Sequence, residues 1–271
     1  MSKLILLPAS PSDATEMLAM QAEAFGGATP DPFWEQLFPA KEEKERAVKR
    51  FLKGWVGDGK AEYVKVVDGE SGKIISTAKW TITPHPQPES EKHSQITIDY
   101  HPETDTNEWS SHVLTWIRQH RLTQTKGGPC AALELMASHP AYQKRGAGTM
   151  AVKWGTDRAD ALGLACVVES TDVGRALYEK CGFVEKGGGR IVVPVPERWR
   201  GRPVLRFWFY ERGVKGVREG EGERDGESNG VDGKREVGGG ANGGINEDVN
   251  RDGEVNGSIN GGMNGSIKES Q

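Results

Sequence analysis

The chain has 271 residues, a formal charge of −4 and 27% charged residues, a balance that gives no case for nucleic acid as a partner. No aromatic residue follows Tyr210, and 17 of the 36 glycines lie from Gly213 onward. Only residues 1–212 can therefore build a core, and the Gly/Asn-rich low-complexity stretch 213–271 is expected to be a disordered tail, because it buries too little to offset the entropy of ordering.

The run Leu4-Ile5-Leu6-Leu7 is too short for the apolar core of a signal peptide, and no stretch approaches a membrane span. The three cysteines, Cys130, Cys166 and Cys181, are odd in number and sit in or beside apolar segments. They read as buried free thiols, which suits a reducing compartment and a cytoplasmic protein without membrane partners. Cysteines and histidines show no metal-ligand spacing, so no metal is expected.

In chain order, Lys3 to Leu7 reads as a strand, and a helix capped at Ser10 or Ser12 runs to about Phe25 with Met17, Met20, Ala24 and Phe25 as its inner stripe. The turn-rich segment Gly26 to Pro39 carries Phe33, Trp34, Leu37 and Phe38. Those four either pack under the domain or line an acceptor pocket, and packing is the expectation. Lys41 to Trp55 is an amphipathic helix, and Glu62–Val67 and Lys73–Thr83 form a hairpin. Pro84 to Glu108 is read as a loop insertion whose His85, His93, Asp99, Tyr100 and His101 either touch an acceptor or belong to a variable surface.

A helix over Glu108–Thr123 precedes the central strand Ala131–Ala137, which places Leu133, Leu135 and Ala137 on one face and Ala132, Glu134 and Met136 on the other. The strand runs into the turn Gln143-Lys144-Arg145-Gly146-Ala147-Gly148 and then a helix to about Leu162, stopped by Gly163. A further strand, Leu164–Glu169, is followed by a short helix over Asp172–Lys180 and a strand from Phe183. Ile191–Val195 and Val204–Tyr210 close the domain as a long hairpin, with Trp199 either over the site or packed across the hairpin.

The glycine turn carries the chemistry. Small residues let the backbone come close to a ligand, and the first N–H groups of the following helix have no partner within it, so an anion fits there. Lys144 and Arg145 add positive charge. The dinucleotide fingerprint and the P-loop both require spacings absent here.

Gln143-x-x-Gly146-x-Gly148, preceded by Leu135-Met136-Ala137-Ser138-His139-Pro140 and followed by Ala176-Leu177-Tyr178-Glu179-Lys180-Cys181-Gly182-Phe183, resembles the signature of the GNAT family of N-acetyltransferases. The resemblance implies a mixed α/β (α+β) fold with a central, mostly antiparallel twisted sheet flanked by helices and splayed at the coenzyme site. It also implies transfer of an acetyl group from acetyl-CoA to a primary amine, small or peptidic, by direct attack in a ternary complex. The oligomeric state is left open.

By the same resemblance, Met136 and Ala137 pair through their backbone with the pantetheine arm, and Gln143, Lys144, Arg145, Gly146, Ala147, Gly148 and Thr149 hold the pyrophosphate. Thr171 stands where the family often has asparagine, and the stretch 169–175 is similar to a variant in small fungal members. Tyr178, near the coenzyme sulfur, is the candidate proton donor to the thiolate or a hydrogen-bonding neighbour without catalytic role. Glu134 is the candidate general base, if apolar neighbours raise its pKa, or a carboxylate satisfied by a basic residue of the sheet. A non-catalytic acyl-CoA-binding protein of the same fold is the competing reading.

Overall fold

Period-2 and period-3.6 patterns along the chain give, in order, β1 (Leu4–Pro8), α1 (Ala14–Phe25), α2 (Pro32–Leu37), α3 (Lys44–Gly57), β2 (Ala61–Asp68), β3 (Ile74–Thr83), α4 (Glu89–Lys92), α5 (Thr104–Gln124) and β4 (Cys130–Ser138). Then come α6 (Ala147–Leu162), β5 (Ala165–Ser170), α7 (Arg175–Lys180), β6 (Val184–Glu185), β7 (Ile191–Val192) and β8 (Arg206–Arg212). The computed structural model describes residues 2–27, 30–39 and 42–215. The tail expected over 213–271 lies outside the described residues from position 216 on.

The strands form one sheet in the order β1-β2-β3-β4-β5-β8-β6, with β7 paired to β8. Every pairing is antiparallel except β4 with β5. This is the expected mixed α/β architecture. The core lies between the sheet and α6, where Val64, Val66, Ala78, Trp80, Ala131 and Leu133 meet Ala147, Ala151, Val152 and Ala159. The small residues of α6 let its axis approach the strands, and each fully buried large side chain contributes about 1.5–3 kcal/mol.

Two local features position the site. The β3–β4 register slips between Lys79, opposite Leu135, and Trp80, opposite Leu133, so Glu134 is an extra, bulged residue. The bulge breaks the simple alternation expected for β4: Met136 returns to the face of Leu133 and packs on the same core. Second, β4 pairs with β5 only through Cys130–Leu133 against Ala165–Val168, although β4 continues to Ser138 and β5 to Ser170. Beyond Leu133 the two strands part.

Elsewhere the elements depart from expectation in understandable ways. The turn-rich segment at 26–39 contains α2, which starts where Asp31 Oδ1 accepts from Phe33 N at 2.9 Å and Trp34 N at 3.1 Å. Helix α5 begins earlier than read and α7 later. The closing hairpin is short, because the chain leaves the ladder at Pro194, after Val193 N donates to Leu205 O at 3.0 Å. Trp199 packs edge-on to Trp109 and its indole N–H donates to Asp105 at 2.8 Å, away from the site.

Candidate active site

The parted strands open a cleft of about 480 Å³. Its inner wall comes from β4 and β5, with Leu133, Glu134, Leu135, Met136, Val168 and Glu169, together with Thr171 and Tyr178. Its outer wall comes from Phe25, α2 with the following Phe38, and the face of α5 that presents Leu114, Ile117, Arg118 and Arg121. Phe33, Trp34, Leu37 and Phe38 all line the cleft. Leu37, with Phe33 and Phe38 against it, also packs in the core cluster of Trp109, Val113 and Phe207, so the packing expected of them and the pocket alternative both hold.

Next to Met136, which lines the cleft, stands the glycine turn, whose Gly148 adjoins the Met136 side chain. Gly146 takes φ 97°, a conformation that costs an L side chain strain, and it caps α6. The first bond into that helix runs from Met150 N to Gly146 O at 3.0 Å, and the amides from Lys144 to Thr149 have no acceptor among the described residues. A Cβ on Gly148 would lie 2.4 Å from Met136 Cε, so any larger residue there would displace the flexible end of the Met136 side chain. Lys144 is exposed. Arg145, expected to add charge at the turn, is instead drawn away: its guanidinium donates to Asp68 Oδ2 at 3.3 Å and to Ser2 Oγ. Gln143 is exposed, with its amide 3.5 Å from Ser138 O.

On β4, His139 N donates to Ile75 O at 2.9 Å, which fixes the ladder phase. Residues 139 and 137 turn their backbone groups toward β3, while 138 and 136 turn theirs toward the opening. Ala137 O also accepts from Ser76 Oγ at 2.8 Å. The expectation for Ala137 is therefore corrected. Met136 and Ser138 face the gap: alternation says that adjacent residues cannot both do so, and the bond to Ile75 decides which pair does.

Glu134 lies at the floor of the cleft between two cations. Lys79 Nζ is 2.7 Å from Oε2, and Arg121 Nη1 is 3.0 Å from Oε1. Burial by itself would raise this carboxyl, but the charges and hydrogen bonds of Lys79 and Arg121 outweigh it and hold it at about 2. The raised pKa expected from apolar neighbours is thus reversed, because the bulge aims the side chain at cations. Arg121 also donates from Nε and Nη2 to Glu169 at 3.0 and 2.7 Å, so one guanidinium from α5 spans the parted strands β4 and β5. Burial disfavours its charge, but Glu169 and Glu134 more than compensate.

Tyr178 is 7% exposed, and its ring packs edge-on to Phe183. Its hydroxyl has no hydrogen-bond partner among the described residues. Burial, and then the Cys181 thiol, push the phenol above its ordinary range, so it stays protonated. Thr171 lines the cleft, and its carbonyl accepts from Ser170 Oγ at 2.7 Å.

Of the residues singled out in the insertion, none lines the cleft; Ile96 does. Tyr100 donates to Leu37 O at 2.7 Å, and His101 is buried 3.3 Å from Ser110 Oγ. Lys79, Arg121 and Ile96 escaped the sequence reading. Arg121 had a signal, since it extends the apolar stripe of α5 by one turn from Ile117.

Residues 32–183 match the profile described as the Acetyltransferase (GNAT) family. The chain belongs to the GNAT acetyltransferase family. Free amides at the start of α6, a gap between β4 and β5 and a close Gly148–Met136 contact fit the acetyl-CoA that this family uses as acyl donor. No curated protein matches in sequence.

Solved structures share the fold. A Drosophila melanogaster polyamine N-acetyltransferase that forms N-acetylagmatine is 14% identical with a TM-score of 0.56, over 78% of this chain and 100% of that one. The mosquito arylalkylamine N-acetyltransferase like 5b is 14% identical with a TM-score of 0.55, over 78% and 99%. A Corynebacterium glutamicum structure described as histone acetyltransferase HPA2 and related acetyltransferase is 19% identical with a TM-score of 0.50, over 79% and 97%. At these identities the likeness is one of fold.

Proposed function

We propose that this GNAT acetyltransferase acetylates a primary amine by direct attack in a ternary complex, within a domain spanning residues 1–212 of a cytoplasmic protein. The observation that supports the reading is a cleft lined by the open edge of β4 and by Tyr178, whose hydroxyl has no partner among the described residues. The unpaired amides at 144–149 stand beside it through the contact of Gly148 with Met136. Acetyl-CoA, when bound, supplies a thioester whose carbonyl is open to a neutral amine.

The chain's own residues then have distinct tasks. The amides of Lys144 to Thr149 and the positive end of α6 hold a diphosphate. Met136 and Ser138 offer backbone donors and acceptors to an extended amide arm, as a neighbouring strand would. Thr171, in place of the common asparagine, contributes from β5's end, in the manner of small fungal relatives. Tyr178 keeps its proton and presents it to the departing thiolate, whose ordinary pKa is about 8.5.

Glu134 is not suited to take the amine's proton at neutral pH, since a base works best with a pKa near the working pH. Its role in this reading is to fix Lys79 and Arg121, and the proton leaves through water. Mixing the purified chain with acetyl-CoA and a panel of amines tests the proposal. Free thiol released in step with acetylated amine supports it, whereas coenzyme binding without thiol release would mark a binding protein that has lost the chemistry.

A further inference from the structure

Resting on the acetyltransferase reading of the cleft, the geometry points to an acceptor class: an aromatic monoamine, not a polyamine or a guanidino-amine. The outer wall is a stack. Phe25 lies on Trp34 with ring centres 5.3 Å apart and 25° between planes, and Trp34 lies on Phe38 at 4.3 Å and 29°. Two rings therefore stack on Trp34, and its faces are taken up by them in place of a ligand. Arg50 sits over the Phe38 ring at 5.4 Å. Ring faces attract cations and ring edges repel them. What Trp34 can offer a ligand is its edge, which suits the face of another aromatic ring and not an ammonium.

The charges of the cleft agree. Its carboxylates are Asp31, Glu134 and Glu169, and its cations are Lys79, Arg118 and Arg121. Glu134 is held by Lys79 and Arg121, and Glu169 by Arg121, while Lys79 is shared with Asp58 at 3.1 Å. Asp31 accepts the two amides that start α2. Arg118 has no carboxylate partner among the described residues and is held by the carbonyl oxygens of Glu91 and Ser94. Among the described residues no lining carboxylate is thus left unpartnered for a second cationic nitrogen, and such a nitrogen would enter apolar surroundings beside Arg118. A monoamine loses its single charge on becoming the nucleophile, and its ring is then the part left to bury.

The test uses the full chain with acetyl-CoA and two sets of acceptors, phenethylamine and tryptamine against putrescine, spermidine and agmatine, with acetyl-CoA affinity measured separately by calorimetry. The aromatic monoamines are expected to have kcat/KM about tenfold or more above the others. Trp34→Ala is expected to raise KM for tryptamine about tenfold while acetyl-CoA affinity holds, Trp34→Phe to restore most of it, and Trp34→Glu to favour agmatine relative to the parent. A chain that binds acetyl-CoA yet prefers polyamines or agmatine, acetylates nothing in the panel, or is indifferent to Trp34→Ala overturns the acceptor class and leaves the coenzyme reading standing. A chain that does not bind acetyl-CoA overturns both.

Discussion

The glycine turn and the aromatic wall of the neighbouring cleft are built from different materials. The turn is main chain from one contiguous segment, 143–149, shaped by Gly146 and Gly148 and aimed by α6. The aromatic wall is side chains gathered from α1, α2, α5 and β8, with Phe25 and Phe207 separated by most of the domain. A backbone site needs only the right residues in the right order. A side-chain site needs the whole fold first, and can change without disturbing its counterpart.

The charge network on β4 is the first target. Glu134→Gln leaves Lys79 with Asp58 at 3.1 Å and Arg121 with Glu169 at 2.7 Å. Glu134 is also solvent-exposed, so the change should cost about 1 kcal/mol of stability in denaturant unfolding. In the parent, a carboxyl lowered from 4.5 to about 2 contributes stability that is full above about pH 4.5 and is lost as pH falls toward 2. The variant should lack that part of the acid slope. An unchanged slope would show that the carboxylate is not held by the two cations.

Tyr178→Phe comes next and separates chemistry from binding. It should lower kcat about 100-fold while the affinity for acetyl-CoA changes little; equal turnover across pH would remove the proton-donor role. Because no histidine lines the cleft, the rise of rate with pH should follow the pKa of the acceptor amine. A fixed midpoint near 7 for amines of different basicity would reveal a protein base.

Gly146→Val attacks the turn alone. Forcing a branched side chain to φ 97° should cost about 2 kcal/mol, seen as weaker acetyl-CoA binding, with the aromatic wall unaltered. The smallest effect is expected from Arg145→Ala. Its guanidinium is spent on Asp68 and Ser2, so coenzyme affinity should fall by less than about threefold. A much larger loss in calorimetric titration would mean that the side chain swings to the anion.

What could be read in the sequence follows the same division. The strand–turn–helix of β4 and α6, the stop at Gly163 and the β2–β3 hairpin depend on local periodicity and turn residues, and they stand in the fold where expected. Pairing Met136 with Ala137 overlooks that adjacent residues of a strand point opposite ways, which is local information; that Ala137 is the one turned to β3 follows from the bond of His139 to Ile75, which is not. For Glu134 the sequence left two readings, a base with a raised pKa or a carboxylate satisfied by a basic residue of the sheet, and the choice between them is non-local. The bulge at Glu134 depends on the register against β3, and its partners come from β3 and α5. Helix α2 was missed because Gly, Pro and Asp around it read as turns, and its stability comes from the Asp31 cap and the ring stack.

The central claim is that amides at the front of α6 receive the diphosphate of acetyl-CoA. Calorimetric titration of the parent and of Gly146→Val with acetyl-CoA tests it most directly. The account predicts one binding event per chain for the parent and a clear weakening in the variant; no heat from the parent, or equal affinity in both proteins, would contradict it.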